Sequence, residues 1–339
     1  MKLIRTEDAV GHVLCHDMTQ IIKDKYKDAR FRKGHVVTEE DIPVLLSMGK
    51  EHLYVWEMTP GMVHENDAAE RLLALCGQEN MIRSGVKEGK IELKAACDGV
   101  FLVDSARLVA VNSQDEVMIA TRKGGTAVRE GDKLAGMRVI PLIIEEEKLR
   151  KAEQAAGDKP LLSLKPYVRK TACIVATGGE VKKGLIKDTF TPVVIDKLKT
   201  YGIETLEVVY SGDGVENVRD AVLTMREKKP DMILCTGGMS VDPDDNTPGG
   251  IKAAGANIIA YGAPVLPGAM FLLGYFDDGM PVMGLPGCVM YAGATVFDLM
   301  LPKIAADVPV TRADLAALGE GGLCLGCKPC HYPICPFGK

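Results

Sequence analysis

The sequence predicts an α/β protein: a three-layer domain with a mostly parallel sheet, preceded by a smaller, mainly β domain. Three observations carry this expectation. Between residues 171 and 285, compact apolar runs alternate with amphipathic stretches, the rhythm of strands joined by crossover helices. Between residues 90 and 144, short β-branched runs are separated by glycine turns. The charged stretch EEEKLRKAEQAAGDK at 145–159 reads as a helical linker between the two, with a boundary near Lys159.

The elements follow in order. Thr38-Glu-Glu-Asp41 reads as a capping box that opens a short helix ending at Gly49. An extended run from His52 to Trp56 comes next, then the expected strands IELKA, GVFLVD, EVMIATR, GDKLAG and MRVIPLII. LLSLKPYVRK leads into the second domain. There TACIVAT, ETLEVVY and DMILCT read as strands buried on both faces, with MPVMGL a weaker fourth. TPVVIDKLKTYG sets Val194, Ile195, Leu198 and Tyr201 on one helical face, started by Thr191-Pro192 and closed by Gly202. VENVRDAVLTMREKK carries the apolar stripe Val215, Val218, Val222 and Met225. The expected division is 1–159, a mainly β region with its linker helix; 160–310, the α/β domain; and 311–339, a cysteine-rich tail.

With 339 residues the chain exceeds one ordinary domain. Net charge is −5, there is one Trp, and no block of Lys or Arg occurs, which argues against a nucleic-acid or anionic-membrane surface. The N-terminal MKLIRTEDAVGHVLCHDM lacks the apolar core of a signal peptide. No run approaches the roughly 18 apolar residues of a membrane span. A cytoplasmic protein is expected. His12, His16, His35, His52 and His64 recur at no ligand spacing and read as ordinary core or surface histidines. Six of the ten cysteines lie singly among apolar neighbours, Cys173 and Cys235 inside expected strands, where a buried thiol is the plain reading.

The chemistry belongs at the carboxyl ends of the strands, where open α/β sheets bind ligands. Each strand runs into glycine: TGGE, SGDG, TGGMSVDPDD and LPGC. Glycine there permits positive φ and lets backbone N–H groups approach an anion. Glu180, Asp213 and the cluster Asp242, Asp244 and Asp245 sit on three of these loops, and carboxylates beside such backbones suit a hard divalent cation bridging to phosphate. Nucleotide motifs fail: Gly179 to Gly184 has Walker spacing, but Leu185-Ile186 replaces the Lys-Ser/Thr. The Asp run is no EF-hand, because Thr247 and Ala253 stand where its glycine and glutamate belong. From Ala253 to Pro302 there is no Lys or Arg, so a bound phosphate must rely on backbone amides, metal and more distant cations. In the tail, Cys324, Cys327, Cys330 and Cys335 form C-x2-C-x2-C-x4-C, a spacing that suits Zn²⁺ or an iron–sulfur cluster.

TGGEVKKGLIKD, the Asp213 loop, TGGMSVDPDD and GLPG, in that order, resemble the molybdopterin-binding domain shared by the MoeA, MogA and gephyrin proteins of molybdenum-cofactor synthesis. FRKGHVVTEEDIPVLLSMGKEHLYV and VREGDKLAGMRVIPLIIEE are more distantly similar to parts of MoeA outside that domain. The resemblance implies molybdopterin or its adenylylated form as ligand, Mg²⁺, molybdate as co-substrate and a homodimer. It implies catalytic roles for Glu180, Asp213 and Asp245, with Mg²⁺ at Asp213, Asp242 and Asp245. The ligand would lie against Thr177, Gly178, Gly179, Asp188, Thr236, Gly237, Gly238, Ser240, Thr247, Pro286 and Gly287. The expected activity is molybdate insertion with Mg-dependent release of AMP. Adenylyl transfer to molybdopterin is the alternative, since DDNTP resembles the MogA branch, and a non-enzymatic molybdopterin carrier or sensor is another. The chain departs from the family in three places: it lacks the insert bearing a DNSAMDGYA-like segment, LPGNP is LPGCV, and the PGKP turn is PGAM at Pro267 to Met270.

Overall fold

Alternation within the run TACIVAT explains the layers of the second half of the chain. In the computed structural model, which describes residues 2–22, 26–55, 60–242 and 245–339, this run is a strand, β1 (Thr171–Thr177). Ala172 and Ile174 point into one apolar cluster and Cys173 and Val175 into another, as the period of two requires. Five more strands complete the sheet: β2 (Glu204–Ser211), β3 (Met232–Thr236), β4 (Asn257–Tyr261), β5 (Leu272–Tyr275) and β6 (Pro281–Leu285). The order is β2-β1-β3-β6-β5-β4. The first four strands in that order are mutually parallel, while β5 runs antiparallel to both β6 and β4.

Helices α1 (Phe190–Thr200) and α4 (Val296–Ala305) cover one face, through Val194, Leu198, Phe297 and Met300. Helices α2 (Val215–Glu227) and α3 (Thr247–Ala253) cover the other, through Val218, Val222, Met225 and Ile251. This is the expected three-layer arrangement with a mostly parallel sheet. Gly202, at φ +67°, ends α1 as read from the sequence.

Two expectations change. ETLEVVY is not buried on both faces: β2 is an edge strand, and most of its side chains are exposed or half-exposed. Strands β4 and β5 are absent from the sequence reading. The turn Asp277-Asp278-Gly279 folds β5 back onto β6, with Phe276 N–H donating to Met280 O at 3.0 Å, so this hairpin makes the sheet mixed.

The chain forms two compact units, one of residues 1–96, 103–124 and 131–163, the other of 97–102, 125–130 and 164–339. The first unit carries the antiparallel pairs Lys2–Arg5 with His52–Val55 and Met18–Ile22 with Tyr26–Phe31. It also has a four-stranded sheet in the order Met81–Arg83, Ile91–Ala95, Lys133–Val139 and Val117–Thr121. GDKLAG and the start of MRVIPLII therefore form one strand, Lys133–Val139, and the end of MRVIPLII enters a second, Ile143–Glu145. Helices Glu65–Leu75 and Ser105–Asn112 are further elements that the sequence reading lacks, whereas the charged stretch 145–159 is helical as expected, at Glu146–Ala156, and lies inside the first unit. Asp41 opens its helix by accepting the Thr38 N–H and hydroxyl, both at 2.8 Å, so only half of the reciprocal capping box forms. Trp56 and Asp244 lie outside the described residues. No helix among the described residues is long and apolar enough to cross a membrane.

Candidate functional site

The loops after β1 and β3 are held together by buried hydroxyls. Thr177, the last residue of β1, donates to Thr236 O at 2.9 Å, and its Oγ1 lies 3.1 Å from Thr247 Oγ1 at the start of α3. The Thr247 hydroxyl also reaches Gly237 O at 2.9 Å, and the Thr247 N–H donates to Gly238 O at 3.1 Å. Thr247 is 1% exposed, so without these partners its hydroxyl would be buried at a cost. The network folds TGG back over the end of β1.

Glycine is required at the turn itself. Gly237 and Gly238 stand at φ +80° and +58°. A Cβ at Gly237 would meet Thr177 O at 2.4 Å, and one at Gly238 would meet Thr247 Oγ1 at 2.6 Å. Backbone therefore lines the surface of this turn, and the amides of Gly238 and Met239 donate to no acceptor among the described residues. Open N–H groups on a glycine turn suit an anion. Met239 is buried beneath, against Gly284 of β6.

Two of the expected carboxylates brace loops. Asp213 Oδ2 accepts the Gly179 N–H at 3.0 Å, tying the β2 loop to the β1 loop, and Asn217 donates to Asp213 O at 2.7 Å. Asp245 Oδ2 accepts the Ser240 N–H at 3.0 Å, closing the β3 loop on itself. Each keeps its other carboxylate oxygen. Asp242 supplies its backbone carbonyl to the Asp245 N–H at 2.9 Å, while its side chain is exposed. Glu180 is exposed and forms no hydrogen bond or ion pair through its carboxylate among the described residues. Asp188 serves α1: Oδ1 accepts the Phe190 and Thr191 N–H groups at 2.9 and 3.0 Å. Burial alone would raise its carboxyl, but hydrogen bonding at Thr191 and Phe190 outweighs this and holds it below the usual range. Pro286 is buried at the end of β6, and Gly287 is exposed where a 3-10 turn, Gly287–Met290, begins.

Tyr261, at the end of β4, is a site residue that the sequence reading does not single out. Its hydroxyl donates to Met239 O at 2.9 Å and lies 3.5 Å from Ser240 O, so it steadies the β3 loop from the side. Burial and the nearby Asp245 charge both push its phenol up. An aromatic residue directly before Gly262, at the end of an apolar run, is the available signal. Leu185, Val241 and Tyr291 stand exposed at 71%, 84% and 78% on the same set of loops.

Among the described residues, no group of three or more His, Cys, Asp or Glu side chains is arranged to hold a metal ion. The tail cysteines are not gathered into a coordination sphere, but the tail is packed. Phe337 is buried in the core shared with α4, Tyr332 donates to Asp298 O at 2.9 Å, and Cys330 lies against Gly293. The isolated strand cysteines are buried as expected, and burial pushes Cys235 up to about 12.

Residues 173–306 match the family model described as "Probable molybdopterin binding domain", and residues 3–57 match a domain of unknown function. A CinA-like protein of Mycobacterium tuberculosis is 33% identical over 76 residues, which cover 22% of this chain and 18% of that protein. The chain thus spans about a fifth of the length of the curated relatives it matches. The molybdopterin biosynthesis Mog protein of Mycobacterium ulcerans is 19% identical, with 41% of this chain and 97% of that one covered and a TM-score of 0.34. A molybdenum cofactor biosynthesis protein from Pyrococcus furiosus is 13% identical over 93% of this chain and 64% of its own, with a TM-score of 0.27. Residues 173–306, which hold the two glycine loops and their threonine clamp, are thus the part of the chain that is similar to a molybdopterin-binding domain.

Proposed function

We propose that the chain binds molybdopterin or its adenylylated form over the glycine loops and inserts molybdate, with release of AMP. The observation that carries this reading is the Gly237–Gly238 turn, where positive φ, lack of room for a Cβ and open amides combine at a strand end. Amides of this turn would take the phosphate end of the ligand, with the Ser240 hydroxyl beside them. The exposed apolar side chains of Leu185, Val241 and Tyr291 suit the flat ring of the same ligand. Glu180, exposed and unengaged, is free to position water or pterin.

Mg²⁺ fits this site only together with the ligand, since the protein side chains alone assemble no metal site among the described residues. Asp213 and Asp245 would hold it through the carboxylate oxygens not taken by Gly179 and Ser240, and the ion would neutralise phosphate charge. The tail thiols, as arranged, do not fit Zn²⁺ or an iron–sulfur cluster, and no step passes through them. Homodimer formation follows from the resemblance alone and is read by light scattering of the purified chain.

The test is incubation with adenylylated molybdopterin and molybdate. Molybdate-dependent AMP release is expected, and Asp245→Asn should slow it by about 10²-fold or more while pterin binding changes little. Transfer of AMP from ATP to molybdopterin would instead identify an adenylyltransferase. Tight pterin binding with neither reaction would identify a carrier, and absence of binding overturns the reading altogether.

A further inference from the structure

The first unit holds a cationic cavity that the pterin reading does not use. It lies within residues 3–57, the stretch matched by the domain of unknown function. The strand Tyr26–Phe31 and the turn after it supply Arg30, Arg32, Lys33 and His35, and the start of helix Asp41–Ser47 supplies Glu40 and Asp41. Together they line a cavity of about 780 Å³.

The charges in it do not cancel. Asp41 is already engaged: its Oδ2 lies 2.6 Å from His35 Nε2 and accepts the Thr38 N–H and hydroxyl. Lys33 is held in place at both ends, its N–H donating to Asp17 Oδ1 at 2.8 Å and its ammonium 3.2 Å from His64 Nδ1. Arg30 and Arg32 are exposed and form no ion pair among the described residues. Two guanidinium groups, Arg30 and Arg32, therefore face one unengaged carboxylate, Glu40, in a chain whose net charge is −5.

The side-chain chemistry defines the ligand. Arg30 and Arg32 are two residues apart, the spacing that sets side chains on one side of an extended chain. Guanidinium forks match the paired oxygens of a tetrahedral oxyanion. Phe31 between them is 7% exposed, its ring centroid 5.2 Å from that of His35 at a tilt of 42°, and it anchors the segment from which both arginines project. The pterin-domain stretch 253–302, by contrast, contains no Lys or Arg.

We propose that this cavity binds a small, doubly charged tetrahedral oxyanion of the phosphate–molybdate class. The proposal does not rest on the pterin site. Its test is calorimetric titration of the full chain, at low ionic strength, with molybdate, tungstate, phosphate and sulfate in separate runs. One oxyanion per chain is expected, weakened at least tenfold in Arg30→Ala and in Arg32→Ala, and weakened by added chloride salt. Arg32→Lys should retain part of the binding, and circular dichroism should show both alanine variants folded. Asp245→Asn should leave the titration unchanged, which separates failure here from failure at the glycine loops. Tighter molybdate or tungstate assigns the site to a metal oxyanion, and tighter phosphate assigns it to a phosphate-bearing ligand. Absence of binding at millimolar oxyanion, or equal binding in the folded alanine variants, overturns the proposal.

Discussion

At Gly237 the backbone conformation and the packing impose the same requirement. At φ +80° an L side chain is strained, and the space a Cβ would need is occupied by Thr177 O. Gly237→Ala should therefore cost about 1–3 kcal/mol from the conformation alone, with more from the clash, measured by denaturant unfolding. Pterin binding should fall with it. Thr247→Val separates the two effects, because it removes a hydroxyl while keeping the shape. It leaves the Gly237 carbonyl and the Thr177 hydroxyl each short of a partner, a loss of about 1–3 kcal/mol. If Thr247→Val is as stable as the parent, the hydroxyl clamp does not hold the loops. The glycines and threonines of this clamp are visible in the sequence as TGG and NTP. The role of Asp188 is not: an acid three residues before a helical threonine looks the same whether it faces a ligand or receives the first amides of α1.

Strand ends are where the elements are locked. Asp231 precedes β3 and its Oδ2 accepts the N–H groups of Lys170 and Thr171, at 2.6 and 2.9 Å, and the Thr171 hydroxyl at 2.9 Å. Burial would raise this carboxyl, but the hydrogen bonds from Lys170 and Thr171 outweigh it and its pKa is lowered from 3.8. A carboxyl whose folded value lies below its unfolded value stabilises the fold at pH above the unfolded value. That contribution is lost as pH falls below 3.8 through the lower folded value. Asp231→Asn should thus be less stable than the parent at neutral pH, with the gap closing below about pH 4. A gap independent of pH would sink the argument. At the other end of the domain, Lys197 of α1 and Asp298 of α4 meet at 2.5 Å with both side chains largely buried, and Asp298 also closes the Thr295 capping box. Asp298→Ala strands a buried ammonium and should cost about 3–5 kcal/mol, part of which Lys197→Met should restore in the double variant. Neither lock is legible in the sequence, since each joins residues 60 or more apart and no local pattern records such a pairing. The parallel strands themselves are, because burial on two faces leaves a continuous apolar run. ETLEVVY carries the same β-branched signature at an edge, and only its Glu204 and Glu207 distinguish it.

On the scale of the whole chain, sequence order and spatial grouping part company. The charged linker draws a boundary near Lys159, and the helix Glu146–Ala156 is where that reading puts it. Yet the unit that begins at residue 164 also takes in residues 97–102 and 125–130. These bring strands Gly99–Val103 and Thr126–Val128 into a three-stranded sheet with Leu162–Pro166, and Tyr167 donates its hydroxyl to Gly99 O at 2.9 Å. No hydrophobic period reports such a crossing, because each strand looks locally like any other member of the β region. The consequence is measurable. A fragment of residues 160–339 retains the six-stranded sheet, all four helices of its layers and the tail, but strips Leu162–Pro166 of its paired strands. It leaves a row of unpaired backbone groups and an exposed edge open to self-association. The fragment should melt at a lower temperature than the full chain and self-associate, both read by thermal unfolding with light scattering. Supplying residues 97–130 in trans cannot rebuild the pairing if the strands need their native connections, so a fragment with those residues fused to it is the stricter comparison. A fragment 160–339 that is monomeric and as stable as the full chain would mean that the three-stranded sheet contributes nothing to holding the domain of the six-stranded sheet together.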